Sequence, residues 1–246
     1  MVEASRHPIE VELPEAEAAV VDLFLPEGTL IPYRFRAHPA RLYRAAGKRA
    51  LDILIGGALL LALLPVMVAV ALGVLISSGR PLLYASQRIG RDGEPITVWK
   101  FRTMVRDADR TLQEWLAVRS DLAEEFVQTF KLIDDPRVTP FGRFLRKSSL
   151  DELPQLWNVL RGDMSLVGPR PVSRAELETK YGVLGAQAFA VRPGLTGLWQ
   201  VNGRSSTSYA ARVRYDCEYA AQASLLLDLR ILFLTIPTVL LARGAG

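Results

Sequence analysis

The sequence is poor in the residues on which many enzymes rely. Its single cysteine, Cys217, rules out an internal disulfide and fits a reducing compartment. Histidine occurs twice, at His7 and His38, both near the N-terminus. With no Cys/His cluster, there is no zinc framework. The motif-rich half lacks histidine altogether, which excludes a Ser/His/Asp triad there. Charge is missing from Ile53 to Ile76, a run of 24 residues. At about 1.5 Å per residue a helix of that length matches a bilayer core of roughly 30 Å. About 50 residues precede the run, so its position excludes a signal peptide.

Two features complicate a simple span. Pro65 sits near the centre, with twelve residues of the run before it and eleven after. Proline removes a backbone donor and crowds the preceding turn, so each arm is expected to run roughly 17 Å, about one leaflet. Both flanks are also basic, with Arg41, Arg44, Lys48 and Arg49 before the run and Arg80, Arg88 and Arg91 after it. Positive flanks stay on the cytoplasmic side. A helix–break–helix hairpin that enters and leaves by one face satisfies both, and a kinked span satisfies the length. The segment alone leaves the two equally open.

The net charge of +4 is unevenly spread. Residues 1–40 hold seven acids against three arginines, a net −4, so residues 41–246 carry +8. A basic body on an apolar segment suits an anionic membrane and phosphorylated substrates. Nucleic acid is not expected as a partner, because the arginines are scattered among Gly/Pro turns and do not line a helix.

Three domains are expected. Residues 1–40, rich in proline, read as an acidic appendage with a short strand near Thr29–Phe35. Residues 41–78 form a basic lead-in and the apolar hairpin; residues 79–246 form the catalytic domain. Within the last, Pro81–Arg88 and Ile96–Phe101 read as a β-hairpin around Gly90-Arg91-Asp92-Gly93. Met104 to Leu132 reads as helix, as does Glu152–Leu160, which ends at Gly162. Leu225–Ala242 is apolar but broken by Asp228, Arg230 and Pro237, and reads as an amphipathic interfacial helix. The fold class is α/β, mostly α with a small β-hairpin or sheet.

Chemistry concentrates at Ser148-Ser149-Leu150-Asp151-Glu152-Leu153-Pro154-Gln155. Ser149-x-x-Glu152 fits a helix capping box. Pro154 argues against it, because it would then be the fifth helical residue and lose a hydrogen bond. If Asp151 caps the helix, Pro154 costs little and the helix dipole favours the ionised carboxylate. Such a carboxylate beside a divalent cation can attack phosphorus. Arg143, Arg146 and Lys147 precede the acid pair; Arg170, Arg192 and Arg204 follow, each beside a stiff Pro/Gly turn. Singly each arginine reads as surface; together they suit phosphate. Asp107-Ala108-Asp109 matches a D-x-D metal motif but opens a surface helix, and Asp134-Asp135-Pro136 reads as a turn. Trp157 and Trp199 are expected in the core.

These residues resemble the monotopic phosphoglycosyl transferases, the bacterial sugar transferase family, in its small catalytic-core form. The resemblance spans roughly residues 45–242 and rests on ordered motifs: Lys48-Arg49-x-Leu51-Asp52, Pro65, Gln87-Arg88-Ile89-Gly90, Lys100-Phe101-Arg102-Thr103-Met104 and Leu150-Asp151-Glu152-Leu153-Pro154-Gln155. Asn158 through Pro171, Arg192-Pro193-Gly194-x-Thr196-Gly197 and Gln200-Val201-Asn202-Gly203-Arg204 follow. It implies a re-entrant membrane hairpin and transfer of a hexose-1-phosphate from a UDP-sugar to polyprenyl (undecaprenyl) phosphate. UMP would leave and a phosphosugar would form on Asp151. Exopolysaccharide or other glycoconjugate assembly would begin there, at the cytoplasmic face of a bacterial inner membrane. It further implies Asp151 and Glu152 as catalytic residues and ligands of Mg2+, with Lys100, Arg146, Arg170 and Arg204 on phosphate. Membrane lipids, and a homodimer formed in the membrane, are expected partners. One departure stands out: family members often carry Ser-Pro at the hairpin break, and this chain has Leu64-Pro65. The rival reading is a membrane-anchored scaffold without chemistry.

Overall fold

The structure, a computed structural model, describes residues 43–119, 126, 132, 135–202 and 207–240, together with two short strands nearer the N-terminus. Those strands, β1 (Asp22–Phe24) and β2 (Leu30–Pro32), pair antiparallel. The strand expected near residue 30 is thus present.

A turn of π-helix, Tyr43–Gly47, leads into the long helix α1 (Lys48–Ser78). Pro65 lies inside α1, so the break expected there is not an interruption of the helix. Packing on both sides of Pro65 explains why losing one backbone hydrogen bond does not divide it. Lys48, Asp52, Gly56, Val70 and Val74 are buried along one stripe, with Leu63 and Met67 half-buried between them. The rest of the helix surface is apolar and outward, with Leu61 75% and Ile76 86% exposed. Among the described residues α1 is the one helix long and apolar enough to cross a membrane.

Both ends of α1 are fastened to the same body. At its start, Lys48 Nζ donates to Val167 O (2.9 Å), Tyr219 Oη (2.8 Å) and Asp228 Oδ2 (2.7 Å). Tyr219 and Tyr43 also donate to the Asp228 carboxylate. Arg49 donates to the carbonyls of Val159 and Leu160, and Asp52 accepts from Ser165 Oγ and the Leu166 amide. At the other end, Arg102 donates to the carbonyls of Ser78, Gly79 and Arg80. Gly73 admits Phe141 so closely that a Cβ there would lie 2.4 Å from the ring.

The body is small and mostly helical. The expected hairpin is β3 (Leu83–Ile89) against β4 (Pro95–Phe101), in antiparallel register from Leu83↔Phe101 to Ile89↔Pro95. Helix α2 (Ala108–Val118) is shorter at its start than the sequence suggested. Met104 instead forms a β-bridge with Val138, and Asp107 adopts a left-handed φ of 57°. Helices α3 (Pro140–Ser148) and α4 (Gln155–Arg161) flank the acid pair, and α4 ends at Gly162 as expected. Two three-residue strands, β5 (Ser165–Val167) and β6 (Gly194–Thr196), pair in parallel. Then come α5 (Leu198–Val201), α6 (Tyr209–Gln222) and α7 (Leu225–Leu240).

The inward face of α7 holds Asp228 together with the buried Ile231, and its outward face sets apolar side chains beside the exposed Arg230. Asp228 is fully buried against Lys48, and the outward face carries Leu226 and Phe233. The acid faces inward because only Lys48, Tyr219 and Tyr43 can compensate it. Removing one partner of a buried ion pair costs about 3–5 kcal/mol. Asp228→Ala should therefore destabilise the detergent-solubilised protein by about that much in thermal unfolding. A change under about 1 kcal/mol would show that this network is not what fastens α1.

Candidate active site

The acid pair sits where α3 gives way to α4. Ser149 ends α3 in the left-handed region, at φ 58°, with its amide bonded to Arg146 O. An N-cap needs extended backbone, so the capping box at Ser149 and Glu152 does not form. A capping box occurs instead at Ser173 and Glu176. Leu150–Glu152 is a 3-10 turn with Asp151 inside it, and Pro154, not Asp151, precedes α4.

Glu152 faces Lys100, whose Nζ donates to Oε1 at 2.6 Å. The position of Lys100 is fixed by Asn158, which is fully buried in α4. Asn158 accepts from the Trp99 amide (3.1 Å) and donates to Thr97 O (2.7 Å). One amide thus locks the strand carrying Lys100 to the helix that follows Asp151. Arg146, exposed on the last turn of α3, is aimed by a bond from Nε to Thr103 Oγ1 (3.0 Å). Arg170 leaves the β5 end on Gly168-Pro169. A Cβ on Gly168 would lie 2.4 Å from Arg192 O, and one on Gly194 would lie 2.0 Å from Gly168 N. Only glycine lets these two chains meet, and their meeting sets the place of Arg170.

Asp151 is 7% exposed. Burial, with the Glu152 charge adding to it, pushes its carboxyl up to about 6, while Lys100, Arg146 and Arg170 pull the other way. The expectation that a helix dipole dominates is corrected: α4 begins four residues later, beyond the reach of its first turn.

All of these groups line one cavity of about 2140 Å³. Its wall includes Lys100, Arg146, Asp151, Glu152 and Arg170, and also Leu59 and Leu63 of α1 and Leu232 and Ile236 of α7. The structure therefore brings together the expected site residues except Arg192, which bonds Gly162 O outside the cavity wall, Arg204, which lies outside the described residues, and Pro65, which is exposed on α1 just past Leu63. Asp107 of the D-x-D match precedes α2 and the side chain of Asp109 lies outside the described residues; among the described residues no three acids, histidines or cysteines converge. Asp135 pairs with Arg137 at 2.6 Å in a buried turn, and Asp134 lies outside the described residues. Trp199 is buried as expected, but Trp157 is 54% exposed, because its side of α4 has nothing packed on it.

The chain matches the bacterial sugar transferase family over residues 43–242. It belongs to that family. The exopolysaccharide production protein ExoY of Sinorhizobium fredii is 50% identical over 198 residues, covering 80% of this chain and 87% of that protein. The UDP-galactose-lipid carrier transferase of Erwinia amylovora is 46% identical over 80% of this chain and 41% of its own length. The UDP-glucose:undecaprenyl-phosphate glucose-1-phosphate transferase of Escherichia coli is 41% identical over 77% of this chain and 39% of its own. This bacterial sugar transferase is accordingly an enzyme, and the scaffold reading falls.

Sequence reasoning missed a further cation in the same cavity, Arg212, which lies over Trp199 and Tyr209, and gave Arg88, also in the cavity wall, no part in the site. The signal was Tyr209-x-x-Arg212-x-x-x-Asp216, one face of a helix.

A raised carboxyl means that the folded state binds a proton that the unfolded state has lost. Stability from this source is full below about pH 4 and is lost as pH rises to about 6. Asp151→Asn removes that loss. In pH-dependent unfolding, the variant's advantage should grow between about pH 4 and 6, reach up to about 3 kcal/mol, and stay level above. A variant less stable than the parent at pH 8 would contradict the burial account.

Proposed function

We propose that this enzyme transfers a hexose-1-phosphate from a UDP-sugar to polyprenyl (undecaprenyl) phosphate, with UMP leaving and a phosphosugar carried on Asp151. One observation carries the reading. A buried carboxylate ringed by Lys100, Arg146 and Arg170 opens into the same cavity as the apolar residues Leu59, Leu63, Leu232 and Ile236. Such a cavity suits one water-borne and one lipid-borne phosphate.

Asp151 attacks the β-phosphorus. Burial leaves the carboxylate short of water, which strengthens it as a nucleophile, and the flanking cations hold the phosphate against it. Lys100 holds Glu152 in place beside it. The pair fits Mg2+, which binds through one or two carboxylates plus substrate phosphate oxygens. Asp151 and Glu152 would hold it: the carboxyl of Asp151 is raised first by burial and then by the Glu152 charge, and a bound cation would oppose both. When bound, the ion supplies charge neutralisation of the diphosphate. Polyprenyl phosphate then takes the phosphosugar from Asp151, the step that begins exopolysaccharide or related glycoconjugate assembly.

The anchor follows the same logic. Both ends of α1 bind one body, which supports an unbroken helix held at a single face of the bilayer, with its basic flanks on the cytoplasmic side of the inner membrane. The outward apolar faces of α1 and α7 meet lipid.

With purified protein, a UDP-sugar and undecaprenyl phosphate, the nucleotide released should be UMP. Asp151→Asn should lower turnover by at least about 10³-fold. Release of UDP, or an Asp151→Asn variant that keeps its rate, would overturn the mechanism.

A further inference from the structure

Arg170 and Arg212 share one aromatic ring. The Arg212 guanidinium lies 4.7 Å from the centroid of Trp199 and 5.5 Å from that of Tyr209, and Arg170 lies 5.8 Å from Trp199 on the same residue's ring. Cations rest well on aromatic faces, but two of them beside one indole repel each other. The repulsion, together with burial, lowers the proton affinity of Arg212.

Several other sheltered cations among the described residues are spent, although Arg88 in the same cavity bonds only the Gln87 carbonyl. Arg137 pairs with Asp135, Arg102 and Arg49 cap carbonyls, and Lys48 meets Asp228. By contrast, Arg212 makes one bond, from Nε to Thr207 O at 3.2 Å, and neither it nor Arg170 has an ion-pair partner among the described residues. Of the nearby acids, Glu176 is fully engaged, whereas Asp216 keeps one buried oxygen, Oδ1, without a hydrogen bond and its charge acts on both guanidiniums. Glu176 accepts from Tyr209 Oη (2.9 Å) and the Ser173 amide (2.8 Å). Asp216 is fully buried and accepts from Tyr181 Oη (2.7 Å). Trp199 Nε1, on the ring that the guanidiniums share, is buried and without a partner, as are both amide atoms of the next residue, Gln200. All four residues line the cavity. The site is built for an anion with further hydrogen-bonding capacity.

We propose that Arg212 is a substrate-binding residue that, with Arg170, clamps the α-phosphate of the donor, the phosphate that leaves with the nucleotide. This rests on the reading of Asp151 as attacker of the β-phosphate. Arg170 belongs to two groups: it acts on Asp151 together with Lys100 and Arg146, and on Arg212 and Arg88 on its other side. A diphosphate has the same layout, two phosphorus atoms joined by one oxygen. With the β-phosphate at Asp151, the α-phosphate falls on the Arg212 side. The apolar cluster that seats the helix of Arg212, made of Ile89, Val172, Tyr181, Ala188, Phe189, Val213 and Cys217, includes no residue of α1 or α7.

In the donor step a bond forms between a carboxylate oxygen of Asp151 and the β-phosphorus. The bond from that phosphorus to the bridging oxygen breaks, and its electron pair stays on the oxygen that leaves with UMP. The leaving phosphate gains one negative charge, which Arg170 and Arg212 meet with paired donors.

The test uses the full chain in detergent or nanodiscs, with Arg212→Gln and Arg212→Lys. UMP binding is read by calorimetry. The donor half-reaction is read as single-turnover UMP release, and the acceptor half-reaction as transfer from fully loaded, nucleotide-free enzyme to undecaprenyl phosphate. Arg212→Gln should weaken UMP binding about tenfold or more and slow donor turnover about 10²-fold. Acceptor transfer should stay within about twofold, and Arg212→Lys should recover part of the loss. Unchanged UMP binding overturns the proposal. So does a selective loss in the acceptor step, which would assign the anion to the lipid, or an equal loss in both steps with a lower Tm, which would make Arg212 a packing residue. A parent enzyme that binds UMP but forms no adduct counts against Asp151 as attacker and leaves the calorimetric result to decide Arg212.

Discussion

A carboxylate that is to attack a phosphate must be kept away from water and near positive charge at once. Asp151 meets both demands. Burial pushes its proton affinity up, and Lys100, Arg146 and Arg170 pull it down. Much of the surrounding architecture maintains that balance. Asn158 locks the strand of Lys100 to α4, Thr103 aims Arg146, and the Gly168–Gly194 crossing fixes Arg170. Lys100 is paired with Glu152, whereas Arg146 and Arg170 form no ion pair among the described residues and keep their charge for a phosphate.

The second constraint is lipid. The Lys48-Arg49-x-Leu51-Asp52 motif belongs to the anchor and not to the chemistry: its three charged residues bind the body through Asp228, the Val159 and Leu160 carbonyls, and Ser165. Their spacing puts Lys48 and Asp52 one turn apart on the buried stripe, which leaves the rest of α1 apolar. Arg102 does the corresponding work at the far end. The catalytic cavity lies between these fastenings and draws part of its wall from α1 and α7.

Much of this was legible in the sequence. The apolar run, the β3–β4 hairpin and the end of α4 at Gly162 follow from local patterns, and the gathering of Lys100, Arg146 and Arg170 around Asp151 and Glu152 was implied by the family resemblance. The misses share a cause: the outcome depended on partners distant in the chain. Ser149 caps nothing because it closes α3 in a left-handed turn, which a Ser-x-x-Glu pattern does not reveal. Asp228 read as a polar spot on a surface helix, but its partner Lys48 lies 180 residues away. Arg212 reads as one surface cation until Trp199 and Tyr209 are brought to it.

The most direct test of the account is intact-protein mass spectrometry after incubation with a UDP-sugar and Mg2+ and no lipid acceptor. A mass gain equal to one hexose phosphate, mapping to the peptide that contains Asp151 and absent from Asp151→Asn, is the predicted result. Unmodified protein under conditions in which the complete mixture turns over would contradict a covalent carrier and with it the role assigned to Asp151.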